Sequence, residues 1–137
     1  MTQRLGTILS LQVLRRDLMQ ALKKKRPHLD PERVIFHQDN APGHRAESTL
    51  LEINLLGFET LQHPPYSPDL APFDFKVFPE IKAALRGVRF ENARELCVCT
   101  QNLVSSYDSD WYSEIYGKWL KRHRKCIQIH GGYVEKE

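Results

Sequence analysis

Two aspartates, Asp39 and Asp74, have the residue type and the setting that point to chemistry. Asp39 comes just after a β-prone apolar run, Val34-Ile35-Phe36-His37, and just before Asn40-Ala41-Pro42-Gly43, a turn by composition. Asp74 stands where a proline-rich stretch, residues 63–72, enters a helical pattern. The prolines at 64, 65, 68 and 72 hold that stretch extended and stiff. Ends of parallel strands are where α/β folds place ligands. Two carboxylates brought there can hold hard divalent cations through oxygen and leave coordination positions for water and a substrate phosphate. With two cations, one activates the attacking oxygen of a phosphoryl transfer and the other stabilises the leaving oxygen.

Competing assignments exist for each residue. Asp39 also suits a turn or helix cap. Asp69 lies five residues before Asp74, but Ser67-Pro68-Asp69 is an ordinary turn former, so Asp74 is preferred. Asn40 and His44 flank Asp39. Asn40 could orient it or touch a phosphate, and His44 could cap the following helix. Lys23, Lys24, Lys25 and Arg26 form one basic stretch; Lys121 and Arg122 lie in another. Either could contact nucleic-acid phosphates, which demand charge more than geometry, or simply be solvated helix faces. Cys97, Cys99, Cys126 and His130 have poor spacing for zinc, and the thiols read as free and buried. An odd cysteine count fits a reducing, intracellular compartment. His37 and His44 with Asp39 also resemble a metal-hydrolase cluster, an alternative the spacing leaves open. Trp111, Tyr112, Tyr116 and Trp119 recur at helical spacing and read as packing residues rather than a base-stacking platform.

The elements that must position these groups follow from periodicity. Leu11, Leu14, Leu18 and Leu22 predict an amphipathic helix over residues 9–25, stopped by Pro27. Residues 34–37 predict a buried strand, and residues 44–56 a helix with Ala46, Leu50 and Ile53 inward and Gly57 as its stop. Residues 58–62 predict a second strand. Strand, helix and strand in that order imply a parallel pair with a crossover helix. A third helix carries Phe75, Phe78, Ile81 and Leu85, with Pro79 in its first turn, and two more span about 91–105 and 110–124. Residues 127–137 predict a loose end. The 137 residues, 41% hydrophobic and 27% charged, suit one globular domain, and a net charge of +3 permits a nucleic-acid partner without arguing for one. No signal-peptide core is present, and no apolar run approaches the roughly 20 residues of a membrane span.

His37-Gln38-Asp39-Asn40-Ala41-Pro42-Gly43-His44 resembles the second-aspartate motif of mariner-type transposases. Residues 61–75, which include His63-Pro64-Pro65-Tyr66-Ser67-Pro68-Asp69-Leu70-Ala71-Pro72-Phe73-Asp74, resemble their third-aspartate motif. The 34 residues between Asp39 and Asp74 match the spacing of that group, and the resemblance runs from about residue 9 to the C-terminus. It implies a truncated ribonuclease-H-like α/β fold, with short parallel strands, flanking helices and a helical C-terminal part at about 91–137. Residues 1–137 would then form one partial catalytic domain. It further implies Asp39 and Asp74 as catalytic metal ligands, Mg²⁺ or Mn²⁺ as cofactor, transposon-end DNA as partner, a homodimer, and a nuclear location. In that family a first aspartate lies further upstream than the 38 residues preceding Asp39. Asp17, in a helical pattern, and Asp30, in a turn, do not substitute. The expectation is an ancestral DNA strand-transferase, begun within an older gene, that is inactive alone. The alternatives are a non-catalytic nucleic-acid-binding or interaction remnant, and a relic that folds poorly.

Overall fold

Four leucines at three- and four-residue spacing dictate a helix, and a computed structural model describing residues 2–134 contains it. It runs as α1 (Thr2–Gln12), a π-helical stretch (Val13–Leu18) and α2 (Met19–Lys25). Arg26 leaves helical geometry because the ring of Pro27 disfavours it in the residue before. The chain forms two compact units, Met1–Pro65 and Tyr66–Glu137.

In the first unit, β1 (Ile35–His37) is followed by α3 (Pro42–Arg45), α4 (Glu47–Leu55) and β2 (Glu59–Leu61). The strands pair in parallel, with Ile35 opposite Glu59, Phe36 opposite Thr60 and His37 opposite Leu61. The expected parallel pair with a helical crossover is therefore present. Its core is Leu14, Ile53 and Phe58, surrounded by Leu18, Met19, Leu22, Val34, Phe36 and Leu56. Phe36 stacks on Phe58 at 5.8 Å between centroids. Fully burying such a side chain contributes about 1.5–3 kcal/mol, so this small cluster is the main adhesive of the unit.

Several local expectations need correction. The strand at 34–37 is not buried throughout: Ile35 is exposed, and Val34, Phe36 and His37 are half-buried. The helix expected at 44–56 begins earlier, at Pro42, and breaks at Ala46, whose ψ is 136°. The buried Thr49 hydroxyl donates to the Gly43 carbonyl at 2.8 Å, taking the place of a helical bond across the break. Leu50, expected inward, is exposed; Thr49, Glu52 and Ile53 are the buried positions of α4. Buried Glu52 is reached by Arg15 Nη2 at 2.6 Å.

In the second unit, a 3-10 turn (Pro68–Leu70) and a π-helical stretch (Phe73–Val77) lead into α5 (Phe78–Ala84), whose first turn accommodates Pro79. Then follow α6 (Ala93–Ser106), capped by Asn92, and α7 (Ser109–Gln128), capped by Asp108. Each cap side chain accepts a backbone N–H from the first turn, at 2.9 and 2.8 Å. The expected loose end at 127–137 is overturned as far as residue 134. α7 continues to Gln128, and Val134 is 1% exposed. Residues 135–137 lie outside the described residues. Cys97, expected buried, is exposed, while Cys99 and Cys126 are half-buried. Among the described residues no helix is long and apolar enough to cross a membrane.

Candidate active site at the end of the first strand

The parallel pairing sends the chain out of β1 and β2 on the same side, and Asp39 lies in the first loop there. Its Oδ1 accepts the Ala41 N–H at 3.0 Å, closing a short side-chain turn before Pro42. The same Oδ1 lies 2.6 Å from His44 Nδ1, at the start of the crossover. An ionised carboxylate only accepts, so Nδ1 is the donor. Partial burial disfavours the charged carboxylate. The Ala41 N–H, the His44 hydrogen bond and the nearby His44 and His63 charges outweigh it and hold Asp39 below the ordinary carboxylate range. Asp39 is therefore ionised at neutral pH with half of its side chain exposed.

The loop is braced from both sides. Asn40 Nδ2 donates to the His63 carbonyl at 2.8 Å, and Gln38 Nε2 donates to the His44 carbonyl at 3.1 Å. His37 Nε2 and His63 Nδ1 lie 3.1 Å apart with their rings edge to face. Asn40 thus links the ends of the two strands, and His44 pairs with Asp39 rather than capping a helix. Gln38, Asp39, Asn40 and His44 line a cleft of about 370 Å³ together with Arg45, Leu50 and residues 60–63 and 65. Sequence reasoning passed over His63 as part of this site. The contact follows from the strand register, which sets His37 beside Leu61 with His63 two residues further on, and nothing local in the sequence marks it.

Asp74 belongs to the second unit. It is exposed in the π-helical stretch just after Pro72, and its N–H bonds to the Ala71 carbonyl at 3.0 Å. Asp69, Leu70 and Ala71, which precede it, are buried. α7 anchors them. Trp119 Nε1 donates to the Leu70 carbonyl at 2.8 Å, and Arg122 Nη1 donates to the Asp69 carbonyl at 3.1 Å. The Arg122 guanidinium also lies over the Phe75 ring, 4.4 Å from its centre. Asp69 Oδ2 accepts the buried Val134 N–H at 2.9 Å. The two aspartates of this loop therefore differ in kind: Asp69 is turned inward as a structural acceptor, and Asp74 faces solvent.

Among the other candidates, Lys23, Lys24, Lys25 and Arg26 are exposed at the end of α2 and do not line the cleft. Lys121 is exposed on α7, and Arg122 is half-buried in the contacts just given. Trp111 stacks on Tyr107 at 3.9 Å and donates to Glu80 at 3.0 Å, a packing role.

As a cation site, Asp39 offers a hard oxygen in ionised form, the donor type that Mg²⁺ and Mn²⁺ take. Among the described residues no group of three or more His, Cys, Asp or Glu lies together. A cation here would draw its remaining ligands from water or phosphate oxygens, as Mg²⁺ commonly does.

Comparison with known proteins fits this geometry. The chain is 35% identical to the mariner Mos1 transposase of Drosophila mauritiana over 121 residues, 87% of the chain. The chain belongs to the mariner transposase family. It is also 38% identical over 102 residues to the human histone-lysine N-methyltransferase SETMAR, 74% of this chain. The mariner chain spans 35% of the length of Mos1 and 15% of that of SETMAR. Its fold is that of the Mos1 catalytic domain, which is ribonuclease-H-like. One structure of that domain, with Raltegravir and Mn, superposes with a TM-score of 0.85 at 32% identity, covering 95% of this chain and 65% of that one. A Mos1 paired-end complex with the left transposon end gives 0.84 at 33% identity, covering 95% of this chain and 37% of that one. No protein-family model matches the chain.

Proposed function

We propose that this mariner chain carries the part of a DNA strand-transferase site that supplies two carboxylates, Asp39 and Asp74, to divalent cations. The observation that carries the reading is the Asp39 carboxylate, kept ionised and accessible beside a cleft at the shared end of two parallel strands. Mos1, to which the chain is similar, has been solved with Mn and with transposon-end DNA, which supports Mn²⁺ or Mg²⁺ as cofactor and transposon ends as substrate. The cation, when bound, supplies charge to activate the attacking oxygen and to stabilise the leaving oxygen at phosphorus. The chain's own residues do the rest. Asp39 and Asp74 would each offer a carboxylate oxygen to a cation, Asn40 ties the loop bearing Asp39 to the end of β2, and the α7 anchor fixes the loop bearing Asp74. The work is done in the nucleus, where transposon DNA lies, by a paired assembly like that of the Mos1 paired-end complex.

Residues 1–137 hold two of the three carboxylates such a site uses, so cleavage by this chain alone is not expected. Mn²⁺ binding to the purified chain, followed by the electron paramagnetic resonance signal of free Mn²⁺, should fall with Asp39→Ala and with Asp74→Ala. Unchanged binding in either variant removes that residue from the ligand set. A plasmid-nicking assay with Mg²⁺ or Mn²⁺ should show no nicking; nicking abolished by Asp39→Ala overturns the inactivity.

The exposed run Lys23–Arg26 favours a second reading, nucleic-acid binding without catalysis. It requires salt-sensitive DNA binding that survives Asp39→Ala.

A further inference from the structure

We propose that His44 is a positioning residue for Asp39: by occupying Oδ1 together with the Ala41 N–H, it leaves Oδ2 as the oxygen offered to a cation. The inference rests on the reading of Asp39 as a cation ligand. Both hydrogen bonds, at 2.6 and 3.0 Å, land on the same carboxylate oxygen. A carboxylate oxygen has two lone pairs, and two donors occupy both. Chelation of one cation through both oxygens is then disfavoured, and coordination through Oδ2 alone leaves more positions for water and phosphate.

His44 is itself held in place. Its carbonyl accepts from Gln38 Nε2 at 3.1 Å, and its N–H bonds to the Ala41 carbonyl at 2.9 Å. The Asp39 carboxylate is thus pinned at one end by a ring at the start of the crossover and by a backbone N–H of its own loop. Nδ1 donates in the neutral Nδ1–H form and in the cation alike, so the arrangement does not depend on the charge of the ring. Partners that fix a metal-binding side chain from behind typically change metal affinity by about 10–100-fold when removed.

The histidine Nδ1 lies at the same distance along the side chain as the amide nitrogen of asparagine; the amide nitrogen of glutamine lies one bond further out. His44→Asn therefore keeps a donor in reach of Oδ1, and His44→Gln places it elsewhere. Mn²⁺ affinity of the full chain is measured by electron paramagnetic resonance at fixed pH, with thermal melting of each variant alongside. His44→Ala and His44→Gln are expected to weaken Mn²⁺ binding by about 10-fold, and His44→Asn to stay within about 3-fold of wild type. Should His44→Ala fail to fold, the contrast between the Asn and Gln variants decides in the same way. Affinity unchanged in the Gln variant overturns the proposal, as does equal weakening in the Asn and Gln variants. Asp39→Ala separates the two readings. If it abolishes binding while His44→Gln does nothing, only the role of His44 falls; if it leaves Mn²⁺ binding intact, the ligand reading falls and the role of His44 with it.

Discussion

Replacing Asp69 by alanine should destabilise the protein by about 2 kcal/mol, whereas Asp74→Ala, five residues on, should cost less than about 0.5 kcal/mol. The difference follows from where each carboxylate points. Asp69 is 5% exposed, and its Oδ2 accepts the N–H of Val134, which is 1% exposed. Truncation strands that N–H where water does not reach, at a cost of about 1–3 kcal/mol. Loss of a hydrogen bond to a charged acceptor falls in a similar range, about 1.5–3 kcal/mol, and part of it is returned because a buried carboxylate no longer has to be desolvated. The Arg122 bond is to the main-chain carbonyl of residue 69 and survives the substitution. Asp69→Asn keeps a carbonyl oxygen and should fall between alanine and wild type. Asp74 is exposed, and its own substitution removes no internal partner shown by the structure. Urea denaturation of the three variants, compared by midpoint at constant slope, measures the differences. The reasoning is refuted if Asp69→Ala lies within about 0.5 kcal/mol of wild type, or if Asp74→Ala costs as much as Asp69→Ala.

Three further outcomes are expected. The Asp39 carboxyl is held below its ordinary range in the folded chain, so it adds stability above the unfolded-state value, and this is lost as pH falls through the ordinary carboxylate range toward the depressed folded one. Without added metal, Asp39→Asn should therefore flatten the acid limb of the stability curve, and superimposable curves would contradict the assignment. Ile53→Ala, at a position 1% exposed in the first core, should cost about 2–5 kcal/mol by calorimetry or denaturant melting, and a cost below about 1 kcal/mol would show that the core collapses to fill the space. Changing Lys23, Lys24 and Lys25 to glutamine should lower the magnitude of the salt slope of DNA binding by up to about 3 in filter-binding or anisotropy titrations; an unchanged slope places the phosphate contacts elsewhere.

Local periodicity carried much of the fold. The leucine spacing announced the first helix, and strand, helix and strand in order announced a parallel pair with Asp39 at its end. What escaped was set by partners far along the chain. Nothing near Val134 marks it as buried, because the reason is the Asp69 carboxylate 65 positions earlier. Nothing near Ser67-Pro68-Asp69 says that its aspartate turns inward, because the groups that hold the loop are Trp119, Arg122 and Val134. The break at Ala46 depends on the buried Thr49 hydroxyl competing for a carbonyl, a balance that composition alone does not fix. In the site, the motif named Asp39 and its neighbours, but the pairing of His44 with Asp39 depends on how the turn at Ala41 folds, and that of His37 with His63 on the register of the strands.

The anchoring of residues 69–71 by α7 also bears on how copies of such a gene decay. A stop codon placed just before Trp119 would leave both aspartate motifs intact on paper, and a reader of the sequence would score the site as whole. The translated product would lack the indole and guanidinium that hold the Leu70 and Asp69 carbonyls, and the segment that gives the Asp69 carboxylate its N–H. The last functional codon of this site therefore lies well beyond its last motif. In judging which copies can still hold the loop that bears Asp74, the length of reading frame surviving past residue 119 counts alongside the aspartates themselves.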